Sequence, residues 1–132
     1  MNISIDTRLS IKEKIQLWKE QKGYLKKSVT LLELCDECNV NRTYMSNYIN
    51  YTYHKNFNTW MNELRIRDAS KLMLSSSHKS LNEIAMVTGY TDLAHFSKQF
   101  KALMGVPPST WRREKKKEKK DLKDKKTSSK KA

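Results

Sequence analysis

Laid on itself with an offset of 50 residues, the chain aligns Thr30-Leu31-Leu32-Glu33-Leu34-Cys35 with Ser80-Leu81-Asn82-Glu83-Ile84-Ala85. Both segments open as S/T-x-x-E, in which the hydroxyl accepts an orphan amide at a helix start while the Glu reaches back to the cap amide. Both continue with apolar residues at the first, fourth and fifth positions after the cap, the pattern of a helix with one buried stripe. Asn39 then falls on Gly89, the residue types that best tolerate a left-handed turn, and Val40 falls on Tyr90 as an apolar residue within that turn. Beyond the turn the offset becomes 51 and pairs Asn41 with Asp92, both good N-caps, then Met45 with Phe96, Ser46 with Ser97, Asn47 with Lys98 and Ile49 with Phe100. Each half is a short capped helix, a tight turn and a second capped helix: a helix-turn-helix, present twice.

The duplication also explains the C-x-x-C of the first copy. Cys35 stands where the second copy has Ala85, at the crossing of two helices, and a free Cys behaves as a small buried hydrophobe. Cys38 stands where the second copy has Thr88. A zinc site would need two further ligands, and His54, His78 and His95 are scattered without paired spacing. The cysteines are therefore assigned to packing rather than to metal or thiol chemistry, and no cofactor is expected.

Around the repeats the chain stays helical. No Gly or Pro lies between Gly23 and Gly89. Residues 57–75 carry Phe57, Trp60, Met61, Leu64, Ala69, Leu72 and Met73 at helical spacing, predicting one linker helix that ends in a Ser-rich turn. At about 1.5 Å per residue it spans about 28 Å, enough to hold two helices near the 34 Å, roughly, that separates adjacent major grooves on one DNA face. Ile11, Ile15 and Trp18 mark an amphipathic helix before the first repeat, and Gly105-Val106-Pro107-Pro108 stops one helix and starts a short last one with Trp111 facing inward. The expected fold is all-α: seven helices forming a double helix-turn-helix. Residues 1–56 make the first unit, 57–75 the linker, 76–114 the second unit, and 115–132 a tail.

Charge points to the partner. Of the net charge of +13, residues 112–132 supply +8, with 12 Lys/Arg against 4 Asp/Glu; the remaining residues hold 15 against 10. The tail has almost no apolar residues and is expected to be disordered. A mildly basic body with a strongly basic tail suits a polyanion, nucleic acid before membrane. No run approaches the roughly 20 apolar residues of a membrane helix, and MNISIDTRLSIKEK has neither the apolar core nor the cleavage site of a secretory signal. The expected setting is the cytoplasm, at the nucleoid, with a membrane tether only if the sequence is part of a longer protein.

With SLNEIAMVTGYTDLAHFSKQFKALMGVPPSTWR, residues 80–112, laid out in this way, the chain resembles the DNA-binding domain of the AraC/XylS family of bacterial transcription regulators. That stretch has the family's helix opening, Gly-aromatic turn, D-x-x-H-F-S-K-x-F-K recognition helix and G-x-x-P-S-x-[YW]-R ending. RIRDASKLM and YMSNYINYTYHKNF match more loosely, and the likeness covers roughly residues 11–113. The resemblance implies that one helix of each repeat enters successive major-groove segments of double-stranded DNA. Carried over by position, the base-reading residues are Arg42, Thr43, Ser46 and Asn47 in the first repeat and Leu93, Ala94, Ser97 and Lys98 in the second. Phosphates would be met at the capped helix starts, Thr30 and Ser80, and by Lys101 and Arg112. Asn47 suits adenine and Lys98 suits guanine or a phosphate, whereas Leu93 and Ala94 offer only apolar contact, where much of the family is polar. Thr43, Ser46 and Ser97 also read as plain helix surface. His95 fits either a phosphate or a cover over the helix crossing. Arg65 fits either a carboxylate within the fold or DNA.

RNA polymerase is the further partner implied; the isolated domain is expected to be monomeric and without a small-molecule site. The sequence lacks a phosphate-cradling glycine loop and a nucleophile-base-acid set, so an enzyme is the weakest class. The open rival is a helical domain that binds nucleic acid or protein without sequence preference through its basic tail.

Overall fold

The computed structural model describes residues 5–27, 29–75 and 78–130, and within them the chain is helical without strands. The helices are α1 (Ile5–Glu20), α2 (Leu31–Cys38), α3 (Arg42–Tyr53), α4 (Phe57–Ser75), α5 (Leu81–Val87), α6 (Leu93–Met104) and α7 (Pro108–Lys130), with a single 3-10 turn, Gly23–Leu25, after α1. The double helix-turn-helix is therefore present as α2–α3 and α5–α6. Ser76 and Ser77, in the turn expected after α4, lie outside the described residues.

Two separate apolar cores organise this string of helices. The first gathers Ile11, Ile15 and Trp18 of α1, Tyr24 of the 3-10 turn, Leu34, Cys35 and Cys38 of α2, Met45, Tyr48 and Ile49 of α3, and Trp60 and Met61 from the first half of α4. The second begins on the same helix with Ile66, Ala69 and Met73 and adds Ile84, Ala85, Tyr90, Phe96 and Phe100, with Trp111 of α7 packed against it. Rings do much of the filling: Tyr53 stacks on Trp60 at 4.9 Å, and Trp111 meets Phe100 edge-on at 5.6 Å. A fully buried side chain of this size contributes about 1.5–3 kcal/mol, against roughly 1 kcal/mol for a helix cap. The cores therefore hold each unit, and the caps decide where its helices begin.

The last helix departs from the sequence expectation. Instead of a short closing helix and a disordered tail, α7 runs unbroken from Pro108 to Lys130, across the boundary drawn at residue 114. Composition argues against an isolated segment of this kind, since it has nothing to bury. Here the costly first turn is already formed, with Pro108 at the first helical position and Trp111 docked on Phe100. Each later Lys, Glu or Leu then only propagates the helix, which these residues favour.

Candidate nucleic-acid interface

Both repeats are built from the same backbone hydrogen bonds. Thr30 Oγ1 accepts from the Glu33 amide at 3.2 Å and Ser80 Oγ from the Glu83 amide at 3.1 Å, starting α2 and α5. Only this arm of each capping box forms among the described residues, and both glutamates face solvent. At the turns, the Val40 amide donates to the Cys35 carbonyl at 3.0 Å and the Tyr90 amide to the Ala85 carbonyl, also at 3.0 Å. The Asn39 and Gly89 amides donate to Asp36 and Met86, each at 3.3 Å. These are two copies of one helix-ending motif, with φ of 52° at Asn39 and 95° at Gly89. The recognition-helix positions then start on Asn41, whose Oδ1 accepts from the Thr43 amide at 2.8 Å, and on Asp92, whose Oδ1 accepts from the His95 amide at 2.7 Å.

From those caps, each helix turns one side inward. Met45, Tyr48 and Ile49 anchor α3, and Phe96 and Phe100 anchor α6. The outward strips follow i, i+3, i+4, i+7 spacing: Thr43, Ser46, Asn47 and Asn50 on α3, and Ala94, Ser97, Lys98 and Lys101 on α6. Arg42, Thr43, Leu93, Ala94, Lys98 and Lys101 are exposed; Ser46, Asn47 and Ser97 are half-buried. Asn47 already engages a neighbour within the protein. Asn50, exposed at the place of Lys101, is the member of the strip that the sequence reading left out; the offset of 51 was sufficient to find it. Exposed Tyr44 also lies on α3 and was likewise unassigned.

Three further side chains can be placed against their sequence alternatives. His95 is exposed but leans edge-on against the Tyr90 ring at 5.3 Å, so it covers the crossing of α5 and α6. Arg65 is buried and donates from Nε to the Tyr24 carbonyl at 2.7 Å and from Nη2 to the Lys26 carbonyl at 2.9 Å. It pairs with neither a carboxylate nor the outer surface. Arg112, expected on a phosphate, is half-buried and donates from Nη1 to the Lys79 carbonyl at 2.7 Å, tying α7 to the start of α5. Its visible work is within the fold. Burial pushes both thiols, Cys35 and Cys38, above the usual range, with Asp36 and Glu37 adding to the effect. That is the reverse of what a reactive dithiol requires.

Along α7 the charges separate. Arg112, Lys115, Lys116, Lys119 and Lys123 fall at i, i+3, i+4, i+7 and i+11 on one side, while Glu114, Glu118 and Asp121 form a stripe on another, with Arg113, Lys117 and Lys120 between the two. Lys115 leans over the Trp111 ring at 5.8 Å and reaches Glu118 at 3.3 Å.

This geometry defines two matched helix-turn-helix units, and comparison with known proteins agrees. The family model described as a helix-turn-helix domain matches residues 34–114. The chain belongs to the AraC-type family of helix-turn-helix transcription regulators. It is 37% identical over 86 residues to the raffinose operon transcriptional regulatory protein RafR of Pediococcus pentosaceus, covering 64% of this chain and 30% of that protein. The chain thus matches less than a third of that relative's length. The C-terminal domain of AraT, a response regulator from Geobacillus stearothermophilus, superposes with a TM-score of 0.69 at 30% identity, covering 79% of this chain and 84% of that one. The DNA-binding domain of AdpA, solved in complex with a target DNA, shares the fold with a TM-score of 0.67 at 16% identity, covering 78% and 89%.

Proposed function

We propose that this chain is a non-catalytic, sequence-specific DNA-binding unit that places α3 and α6 in successive major-groove segments and thereby regulates transcription. The observation that carries the proposal is the doubled geometry: matching capped helix starts and turns in both repeats, each ending in an outward strip on a helix whose opposite side is core. Arg42, Thr43, Ser46 and Asn47 are the first set of base-reading residues; Leu93, Ala94, Ser97 and Lys98 are the second. A helix that enters the groove by its N-terminal end brings these positions to base edges. Lys101 and the capped starts at Thr30 and Ser80 meet phosphates, with Arg112 shaping the loop before Ser80 rather than reaching out. The basic side of α7 adds affinity that does not depend on sequence, which is the true part of the rival reading.

RNA polymerase is the further protein partner in this proposal, the isolated unit is monomeric, and its place is the cytoplasm at the nucleoid. Among the described residues, no helix is long and apolar enough to cross a membrane. The test is selection from a random duplex library at physiological salt with residues 115–132 deleted. A bipartite motif with halves about one helical turn apart is expected. An unenriched pool would overturn the proposal in favour of a sequence-blind polyanion binder.

A further inference from the structure

The two apolar cores do not merge. On α4 the fully buried residues of the first end at Met61, with half-buried Leu64 packed against them, and those of the second begin at Ile66. Between and just beyond them the helix carries buried or half-buried polar side chains, and three of these, Asn62, Arg65 and Asp68, reach another part of the chain. Asn62 Oδ1 accepts from the Tyr90 hydroxyl at 2.9 Å, and Asp68 pairs with Lys22 at 3.3 Å. Arg65 sits at the centre. Its Nε and Nη2 hold the carbonyls of Tyr24 and Lys26, in the turn after α1, while its guanidinium lies 5.5 Å from the centre of the Tyr90 ring, in the second repeat's turn. The two turns come close enough that a Cβ placed on Gly89 would lie 2.9 Å from Arg65 Nε and 3.0 Å from the Leu25 carbonyl oxygen.

We infer that Arg65 is a positioning residue that fixes the rotation of one helix-turn-helix against the other, and so sets the spacing of half-sites that the protein accepts. The inference rests on the proposed DNA reading and adds the element that phases it. Continuity of α4 fixes how far apart the repeats are, but a single helix bends and twists. Two cores without shared buried side chains leave that motion to be limited by the polar contacts between the units. Arg65 is the central one of these contacts, because one planar group is held by two carbonyls of the first unit and lies over a ring of the second. Lysine could not reproduce that fork. Asn62 and Asp68 act on the same joint from either side.

One inserted base pair turns the second half-site by about 35° and moves it by about 3.4 Å. A stiff reader cannot follow that displacement, whereas a loose one can at lower peak affinity. The experiment measures binding of wild type and Arg65→Met to a selected site whose half-sites are moved apart or together by one and two base pairs, and to each half-site alone. Wild type should fall by about 100-fold off its preferred spacing, the scale on which a linked second contact is lost when geometry forbids it. Arg65→Met should keep its half-site affinities and fall by about tenfold or less. In the absence of DNA, wild type should unfold in one transition, and the variant should show separate transitions for the Trp18/Trp60 core and the Trp111 core. Should Arg65→Met not fold, Asn62→Ala, which cuts only the tie to Tyr90, must broaden the spacing profile in the same direction. A sharp wild-type profile left unchanged in the variants overturns the phasing role alone. A wild-type profile that is flat in spacing while each half-site is still preferred over scrambled DNA likewise overturns the phasing role; loss of that preference overturns the DNA reading beneath it.

Discussion

Removal of α7 beyond Glu114 separates two pictures of the basic segment. Residues 115–132 hold ten lysines and three acidic residues. If they acted as a loose cloud, only their net charge would matter. As a helix, the segment shows Lys115, Lys116, Lys119 and Lys123 on one side and Glu118 and Asp121 on another. A straight rod beside a curved duplex then brings about three lysines to phosphates, and each contributes about 0.9 to the slope of log K against log salt. Deleting residues 115–132 should therefore reduce the slope by about 2.7, so that raising salt from about 50 to about 200 mM costs about 40-fold less affinity than in the full chain. The assay is fluorescence anisotropy on a specific and a scrambled duplex across that range, and the reduction should be the same on both. Arrangement is tested by two triple variants of opposite charge. Lys116→Gln, Lys119→Gln and Lys123→Gln together should lower the slope almost as far as the deletion. Glu114→Gln, Glu118→Gln and Asp121→Asn together should leave it nearly unchanged. Equal and opposite changes would refute the rod and restore the cloud.

Other parts of the fold make equally specific demands. Asn47→Ala should lower discrimination between matched and mismatched sites by about 1–3 kcal/mol, measured as the ratio of specific to non-specific binding; because Asn47 also engages the fold, an equal loss on both duplexes would assign it to structure alone. Gly89 and Gly105 both hold positive φ, at 95° and 85°, but only Gly89 has neighbours in the way. Alanine at either site costs about 1–2 kcal/mol for the backbone, and Gly89→Ala should cost more than Gly105→Ala in denaturant titrations by an amount that reports the crowding against Arg65 and Leu25. Burial pushes the Tyr24, Tyr53 and Tyr90 phenols up to about 12 from an ordinary 10. The fold therefore favours their neutral forms. That stability is complete below pH 10 and is lost as pH rises from 10 through 12, which absorbance of the phenolate and far-ultraviolet circular dichroism should follow together.

How much of this was legible beforehand follows from the range of each interaction. The caps at Thr30, Asn41, Ser80 and Asp92 bond to amides two or three residues away, and the left-handed turns at Asn39 and Gly89 close over a span of six residues. Local chemistry of that kind is written in local sequence, and the duplication writes it twice. The assignment of Cys35 and Cys38 to packing came from the same alignment, and both are buried. Arg65 and Arg112 were not legible, because their partners are carbonyl oxygens 39, 41 and 33 residues away, and a carbonyl carries no side-chain signature. A basic side chain in such a sequence reads as a DNA ligand until the fold brings a backbone turn beneath it. The tail failed for a different reason. Composition judged it alone, whereas in the structure it inherits a helix nucleus from Pro108 and Trp111.

The two repeats share a scaffold but not the side chains of their outward strips, and under the proposed function that difference has a measurable consequence. On α3 the outward positions are Arg42, Thr43, Ser46 and Asn47, all capable of hydrogen bonds to base edges. On α6 the corresponding first turn offers Leu93 and Ala94, both exposed. Apolar groups tell a thymine methyl from its absence but cannot use the donor and acceptor pattern that separates all four base pairs. Lys98 and Lys101, next along the same strip, are flexible cations that serve phosphate as readily as guanine. The α3 half of a selected site should therefore carry most of the sequence information, and the α6 half should appear as a weak preference at one or two positions. Assigning the halves needs only one change: Asn47→Ala should erase positions in the informative half and leave the other as it was. A motif with equally sharp halves, or one whose informative half is untouched by Asn47→Ala, would mean that Leu93 and Ala94 read more, or α3 less, than their chemistry allows.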